Sequence, residues 1–256
     1  MGVKLLAVVA VGLALATPSS YLQTQQQSDG GWGDPQLTAW AALGLRAAGA
    51  PTGAAADYLA QHEAELRQPT EIALVALAEA ALGHDPGALL ARLPAKPTAV
   101  NAAVWQILAL SQSGRPVPRA LVSYVLASQA KSGGFAWARG TAPDSNDTAA
   151  AVEALRAGGV RGTSISRAVT YMRGLQAPDG GFRLLRGRAP DAQSTAFVIQ
   201  AFVAAGVKPP GSAFAFLASL RRTDGSYRYS RAYATTPVWV TAQVLPALGR
   251  KPFPLR

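Results

Sequence analysis

The hydrophobic positions of the chain fall into six Ala-rich runs, each apolar on nearly every side and each followed by a glycine. Such a helix is covered by protein on most sides, and the glycine supplies the left-handed residue that ends it. The runs therefore predict six buried inner helices. Their expected ranges are Leu37–Ala48, Ile72–Leu82, Ala102–Ser113, Thr148–Ala157, Thr195–Ala205 and Val238–Leu248. The polar residues expected to begin them are Thr38, Thr70, Asn101, Asp147, Ser194 and Thr236.

The glycines that follow these runs recur at intervals of 34, 31, 44, 48 and 43 residues. Amphipathic segments alternate with the runs; in one of them Ile165, Ala168, Val169 and Met172 follow the spacing of a single helix face. A period of this length is typical of repeated supersecondary units. The sequence thus predicts an all-α fold, an α6/α6 toroid of six helical-hairpin repeats. Pro246 is expected to kink or shorten the last inner helix.

A short polar phrase with two glycines and an aromatic residue introduces four of the six repeats. Its copies are QSDGGW at 27–32, QAKSGGF at 129–135, QAPDGGF at 176–182 and RRTDGSY at 221–227. Asp or Ser favours a turn, glycine permits positive φ or a close backbone approach, and a buried aromatic ring fixes the neighbouring helix. The phrase is therefore predicted to be a structural corner, with its Gln capping an outer helix.

The composition removes several classes of function. The chain has 256 residues, no Cys and 2 His, which excludes thiolate zinc sites, disulfides and cysteine nucleophiles. Residues 1–128 hold 7 Lys and Arg against 8 Asp and Glu, and residues 129–256 hold 17 against 6, so the formal charge of +10 belongs to the second half. The basic residues form no run longer than a pair and no nucleic-acid motif, so we expect no nucleic-acid partner.

The beginning of the chain has the pattern of a secretory signal. Lys4 supplies a positive charge, the residues from Leu5 to Ala16 are apolar, and residues 14–16 form an A-x-A cleavage site. We predict a signal peptide at 1–16, a single toroid domain at 17–256, and a secreted, cell-surface or periplasmic location. The alternatives are a first buried helix or an uncleaved anchor.

The glycine-aromatic phrases resemble the QW motifs, Q-x(2–5)-G-x-W, of the terpenoid cyclase and protein prenyltransferase superfamily. QSDGGW at 27–32 matches the pattern fully, and the later copies have Phe or Tyr for Trp. The resemblance spans most of the chain and implies the α6/α6 toroid. It also implies that the zinc-dependent prenyltransferases and the thioester domains are excluded, because both need Cys. The superfamily includes non-enzymes such as cobalamin carriers.

The same resemblance directs attention to residues 144–149, DSNDTA. Squalene-hopene-type cyclases carry D-x-D-D-T-A there, and the middle Asp protonates the substrate; this chain has Asn146, whose amide is a poor proton donor. Asp144 and Asp147 are the candidate catalytic residues if the protein is an enzyme. The alternative is that they cap a helix, as Asp191 is expected to do in the next repeat.

The loops between corner and inner helix in the last three repeats are the candidate binding surface. They are expected to lie on one face beside the N-termini of the inner helices, which favour anions. The predicted ligand-binding residues are Trp137, Arg139, Asn146, Arg186, Arg188, Asp191 and Arg231. The alternative is a solvated rim. Rings on the inner runs are expected either to line a central cavity or to fill the core: Trp40, Trp105, Phe197 and Trp239.

The favoured function is an exported, non-catalytic module that binds an apolar or anionic ligand or acts as a scaffold. The alternative is a terpene cyclase-like enzyme using Asp144 or Asp147 as the acid. A carbohydrate-active α/α barrel is a third reading, for which the sequence offers no well-separated carboxylate pair. No cofactor and no metal are expected, and no feature of the sequence sets an oligomeric state.

Overall fold

The computed structural model describes residues 16–255, so the predicted signal peptide lies outside the described residues except for Ala16. Within this range the chain forms twelve α-helices and no β-strand. The outer helices are α1 (Pro18–Thr24), α3 (Ala55–His62), α5 (Gly87–Ala91), α7 (Arg119–Leu126), α9 (Thr163–Arg173) and α11 (Gly211–Leu220). The inner helices are α2 (Pro35–Ala47), α4 (Pro69–Leu82), α6 (Val100–Gln112), α8 (Ser145–Ala157), α10 (Ala192–Ala204) and α12 (Pro237–Leu248).

The inner helices form a closed ring. Each packs on the next in the order α2, α4, α6, α8, α10, α12, and α12 packs back on α2. Most outer helices lie across two neighbouring inner helices, and α1 bridges α12 and α2. The predicted all-α toroid of six helical hairpins is therefore confirmed. None of the described helices is both long and apolar enough to cross a membrane.

The inner helices begin earlier than the sequence analysis expected. Asp34, Asp144 and Asp191 are the N-caps of α2, α8 and α10, and each carboxylate accepts the backbone N–H three residues later. Five of the six predicted starting residues were therefore wrong, since they lie inside the first turn or just beyond it: Thr38, Thr70, Asn101, Asp147 and Ser194. Thr236 is the N-cap of α12. The error arose because the capping residues lie outside the apolar runs that set the predicted starts.

At the other end of the chain, α12 continues through Pro246 to Leu248, so the proline does not shorten it.

Most of the glycines after the runs take the predicted left-handed conformation. Gly49, Gly83, Gly114 and Gly206 have φ between 66° and 89°. At the ends of α8 and α12, however, the left-handed residues are Gly159 and Arg250 rather than the predicted glycines one position earlier.

The glycine-aromatic phrases form the corners between outer and inner helices. In the copy at 176–182, Gly180 has φ 91°, and a Cβ on Gly181 would lie 2.8 Å from the ring of Phe216 on α11. The first glycine thus needs its conformational freedom, and the second allows the outer helix to approach closely.

Each corner is tied to the inner helix that follows by one buried hydrogen bond. The backbone N–H of the corner aromatic residue donates to a threonine hydroxyl, and the aromatic side chain is almost fully buried. The pairs are Trp32 to Thr38, Phe135 to Thr148, Phe182 to Thr195 and Tyr227 to Thr241, each with an N···O distance of 2.9 Å. These threonines therefore give the four helices a common register.

Three of the four phrases have a Gln, and this side chain joins two repeats. Gln129 Nε2 donates to the carbonyls of Gly133 and Ser164, and Gln176 Nε2 donates to the Gly180 carbonyl and to Ser212 Oγ. In the first repeat Gln26 makes the equivalent bonds, to the carbonyls of Gly30 and Thr52. The predicted copy began at the next Gln, which was wrong by one residue because the sequence offers three in a row.

Candidate functional site

A cavity of about 200 Å³ lies on the axis of the toroid, at the end where the inner helices begin. Every inner helix contributes two lining residues, and these form two layers one helical turn apart. The rim layer consists of Gln36, Thr70, Asn101, Asn146, Gln193 and Trp239. The deep layer consists of Trp40, Leu74, Trp105, Ala150, Phe197 and Gln243. Asp147 completes the lining. We call this space the axial cavity.

The rings expected either to line a cavity or to fill the core do both. Trp40 lies among the others, with ring-centroid distances of 5.4 Å to Trp105, 6.0 Å to Phe197 and 6.1 Å to Trp239. The first two pairs are edge-to-face, an arrangement that stabilises aromatic clusters. These rings form an apolar floor and wall below the polar rim.

Two buried polar atoms of the deep layer have no hydrogen-bond partner among the described residues. They are Trp40 Nε1 and Gln243 Oε1. Buried polar groups are normally hydrogen-bonded, and an unsatisfied one costs about 1–3 kcal/mol. Both atoms belong to residues that line the axial cavity, so this donor and this acceptor favour a bound molecule that carries a polar group.

Asp147 is the carboxyl of the axial cavity. Asn101 Nδ2 donates to Asp147 Oδ1 at 2.9 Å, and Thr70 Oγ1 donates to Asn101 Oδ1 at 3.2 Å. Burial, followed by the nearby Asp144 carboxylate, raises the pKa of Asp147 to about 7, although the Asn101 bond acts in the opposite direction. The carboxyl thus changes its charge close to neutral pH.

Asp144 has a different role from Asp147. Its Oδ1 accepts the Asp147 backbone N–H at 2.8 Å, which is the capping bond of α8, and burial raises its pKa. Asp144 does not line the axial cavity, whereas Asn146 and Asp147 do. The two candidate acids from the sequence are therefore a cap and a cavity residue.

The loops of the last three repeats lie beside the first turns of the inner helices, as expected. The backbone N–H groups of Asn101, Ser145 and Ala192 donate to the carbonyls of Trp137, Leu184 and Tyr229. Those three helix-start N–H groups are consequently bonded within the protein and are not available to an anion.

The predicted arginines of these loops do not line the axial cavity. Arg139 stacks on Tyr124 at 4.2 Å and bonds to Ser128 Oγ, and Arg231 pairs with Asp179 at 3.5 Å. Arg186 and Arg188 are exposed.

The two remaining predicted residues are Trp137, which is 57% exposed on its loop, and Asp191. Asp191 is the buried cap of α10, where its carboxylate accepts from Ser194 N and Ser194 Oγ. Ligand binding by this whole set stays a prediction.

The rim layer contains residues that the sequence analysis did not choose. Gln36 and Gln193 sit two residues after the N-caps Asp34 and Asp191, in the same place as Asn146. Aligning the repeats on the four corner threonines would have revealed a polar side chain two residues earlier in three of them, at Gln36, Asn146 and Gln193.

Comparison with known proteins adds the fold but not the activity. Neither a protein-family model nor a curated protein matches the sequence. Among solved structures, the type II terpene cyclase MstE from Scytonema superposes with a TM-score of 0.71 at 15% identity, covering 91% of this chain and 95% of that chain. The chain has the terpenoid cyclase α/α toroid fold.

Other structures with this toroid fold have different activities. The ent-copalyl diphosphate synthase from Streptomyces platensis matches with a TM-score of 0.58 at 19% identity, over 84% of this chain and 50% of that chain. A glycosidase solved in complex with glucose matches with a TM-score of 0.65 at 12% identity, over 91% of this chain and 94% of that chain. Activity must therefore be argued from the cavity itself.

Proposed function

We propose that the protein is a non-catalytic binding toroid that holds a small apolar ligand with one polar end in its axial cavity. The observation that carries the proposal is the pairing of an aromatic deep layer with two unsatisfied polar atoms, Trp40 Nε1 and Gln243 Oε1. The ligand's apolar part packs on the rings, and its polar end bonds to these atoms or to the amides of the rim.

The size of the cavity supports a small ligand. Its volume of about 200 Å³ lies below the roughly 300–1,000 Å³ of sites for drug-sized ligands. The Scytonema cyclase MstE, by comparison, has been solved with geranylgeranyl dihydroxybenzoate as substrate. A ligand of that length is too large for the axial cavity, so we favour molecules of about ten carbons.

The lining favours an apolar ligand over an anionic one. No Arg or Lys is among the described residues that line the axial cavity, and Asp147 places a carboxyl at its rim. A carboxylate repels an anion, and the nearest helix-start N–H groups are bonded to loop carbonyls. The basic charge of the second half therefore lies outside this site.

Acid catalysis is the second candidate function, and the raised pKa of Asp147 is the observation that favours it. A carboxyl with a pKa of about 7 is partly protonated at neutral pH. However, a high pKa also makes the proton harder to release, and protonation of an alkene needs a strong acid. Binding without turnover is therefore the better-supported function.

Calorimetric titration with geraniol tests the binding proposal. We expect the Trp239→Ala variant to bind about 2–10-fold more weakly, because it loses one aromatic contact worth about 0.5–1.5 kcal/mol at the rim. Trp137→Ala is the matched control, since that ring is outside the cavity, and its affinity should not change. Weaker binding by Trp137→Ala, with no change in Trp239→Ala, would instead place the ligand on the loop face predicted from the sequence.

Incubation with geraniol, geranyl diphosphate and squalene separates binding from catalysis. We expect each compound to be recovered unchanged. Cyclised products that disappear in Asp147→Asn would establish the enzyme alternative.

Export is also part of the proposal, and sequencing the N-terminus of secreted material should show a chain that begins at Thr17.

A further inference from the structure

The segment after α12 enters the axis of the toroid from the end opposite the rim layer. Phe253 is 3% exposed, and its ring centroid lies 6.2 Å from that of Trp40 and 6.5 Å from that of Trp105. Both tryptophans belong to the deep layer of the axial cavity. Phe253 therefore packs against the deep layer from the end opposite the rim. We call Lys251–Leu255 the axial plug.

Three inner helices hold the axial plug in place. The Phe253 N–H donates to Glu153 Oε2 on α8 at 3.2 Å. Gln112 on α6 bonds to both backbone groups of Leu255, accepting at 2.6 Å and donating at 3.0 Å. The Lys251 N–H donates to the Pro246 carbonyl on α12 at 2.9 Å. The plug is thus fixed by paired polar contacts as well as by the Phe253 ring.

Glu153 also indicates that the plug is held specifically, because the packing of α8 does not require a carboxyl at this position. It is 3% exposed on an Ala-rich inner helix, where an apolar residue would serve the core. Burial raises its pKa well above the usual value, and the Phe253 N–H is the hydrogen bond that opposes the shift. The hydrogen bond from the Phe253 N–H therefore gives this buried carboxyl its role, which is to hold the plug.

A second space lies on the far side of the axial plug. It has a volume of about 600 Å³ and is lined by the last turns of α2, α4 and α6 together with Lys251 and Leu255. The plug contributes Lys251 and Leu255 to this larger space, whereas Phe253 between them lines neither this space nor the axial cavity of about 200 Å³ and packs on the deep-layer rings instead.

We infer that Phe253 is a specificity-determining residue that limits ligand length by supporting, from the end opposite the rim, the deep-layer rings that form the floor of the axial cavity. The inference rests on the proposed binding of an apolar ligand between the rim and deep layers. With Phe253 in place, a chain that enters at the rim stops at the level of Trp40. Without the ring, Trp40 and Trp105 lose the group on which they pack from below, and they can move into its space and deepen the axial cavity.

A series of prenyl alcohols measures the length limit. Calorimetry with geraniol, farnesol and geranylgeraniol should show that the unaltered protein binds geraniol best, with affinity falling as the chain lengthens. In Phe253→Ala the preference should move to farnesol or longer, with the farnesol-to-geraniol affinity ratio rising at least about tenfold, because the additional carbons become buried. Phe253→Leu should give a smaller rise and provides a second test if the alanine variant does not fold.

Phe202→Ala is the matched control for the loss of a buried phenyl ring. Phe202 is 1% exposed but packs on Phe182 at 5.8 Å, on the corner side of α10. Its variant should lose stability without changing the ratio. An unchanged ratio in both Phe253 variants overturns the inference while the proposed function stands. Failure of every protein to bind any of the alcohols overturns both.

Discussion

The N-terminal ends of α8 and α10 have the same capping arrangement but carry different side chains at the third position after the cap. Asp144 and Asp191 each cap their helix by accepting the N–H three residues later, at 2.8 and 2.7 Å. The residue at that third position is Asp147 in α8 and Ser194 in α10. Ser194 Oγ completes the cap by donating to Asp191 Oδ2 at 2.9 Å. The Asp147 carboxylate cannot donate in this way when ionised, and it bonds to Asn101 on α6 instead.

The comparison of Ser194 with Asp147 shows which side chain the cap of the helix requires and which one it does not. A serine at the third position satisfies the cap, so the toroid has no structural need for a second carboxylate there. Asp147 instead lies beside Asp144, whose carboxylate disfavours the ionisation of Asp147. A destabilising residue that faces a cavity is typical of a functional position, whereas the α10 end shows the purely structural form.

The largest effect should come from Asp147→Ser, which gives α8 the residue that α10 has at this position. The effect is expected on the pH dependence of stability. The pKa of Asp147 is about 7 in the folded state, mainly because of burial, against 3.8 for the ordinary carboxyl. Between these values the unfolded chain has lost the proton and the folded chain still holds it. Stability should therefore fall as pH rises from about 4 to 7, by up to about 1.4 kcal/mol per pH unit. Asp147→Ser should flatten this fall in thermal denaturation curves.

The reverse exchange is the control for that experiment. Ser194→Asp introduces the second carboxylate beside Asp191 on α10, where we expect a new loss of stability above about pH 4. If Asp147→Ser leaves the pH dependence of the melting temperature unchanged, the carboxyl pair is not the origin of the difference between the two helix ends.

An effect of intermediate size tests the hydrogen bond between corner and inner helix, which both helix ends have. Thr148→Val and Thr195→Val each leave one buried corner N–H without its hydroxyl acceptor, in Phe135 and Phe182. Each variant should lose about 1–3 kcal/mol of unfolding free energy. Chemical denaturation measures both, and the two losses should agree because the bonds have the same length. Thr141→Val, an exposed loop threonine, should change stability by less than about 0.5 kcal/mol.

The fold was predictable because its signals are local and repeated. The apolar runs, their glycines and the four aromatic corners recur along the chain, and each copy confirms the others. The helix starts were less predictable, since capping by Asp34, Asp144 and Asp191 lies outside the apolar runs. Three glutamines stand in a row before this corner, and the sequence does not show which one makes the corner hydrogen bonds. The contact of Gln26 with the Gly30 carbonyl shows that it is Gln26.

The site was harder to predict because its residues are far apart in the sequence. Asn146 and the rings of Trp40, Trp105, Phe197 and Trp239 were recognised, but Gln36, Gln193 and Gln243 look like ordinary breaks in an apolar pattern. The plug gave no signal, since Phe253 lies between two prolines in a short tail. Its role depends on a contact with Glu153, one hundred positions away.

The smallest of the expected effects distinguishes the two caps from each other. Asp191→Ala removes the acceptor of two hydrogen bonds, from Ser194 N and Ser194 Oγ, and should cost about 1–2 kcal/mol. Asp144→Ala removes one capping bond but also relieves the repulsion of Asp147, so its net cost at pH 8 should be smaller. At pH 4, where Asp147 is protonated, there is little repulsion to relieve and the two costs should approach each other. Denaturation of both variants at the two pH values measures this convergence. A gap that is equal at pH 4 and pH 8 would mean that Asp144 and Asp147 do not interact, and that the two helix ends differ in hydrogen bonding alone.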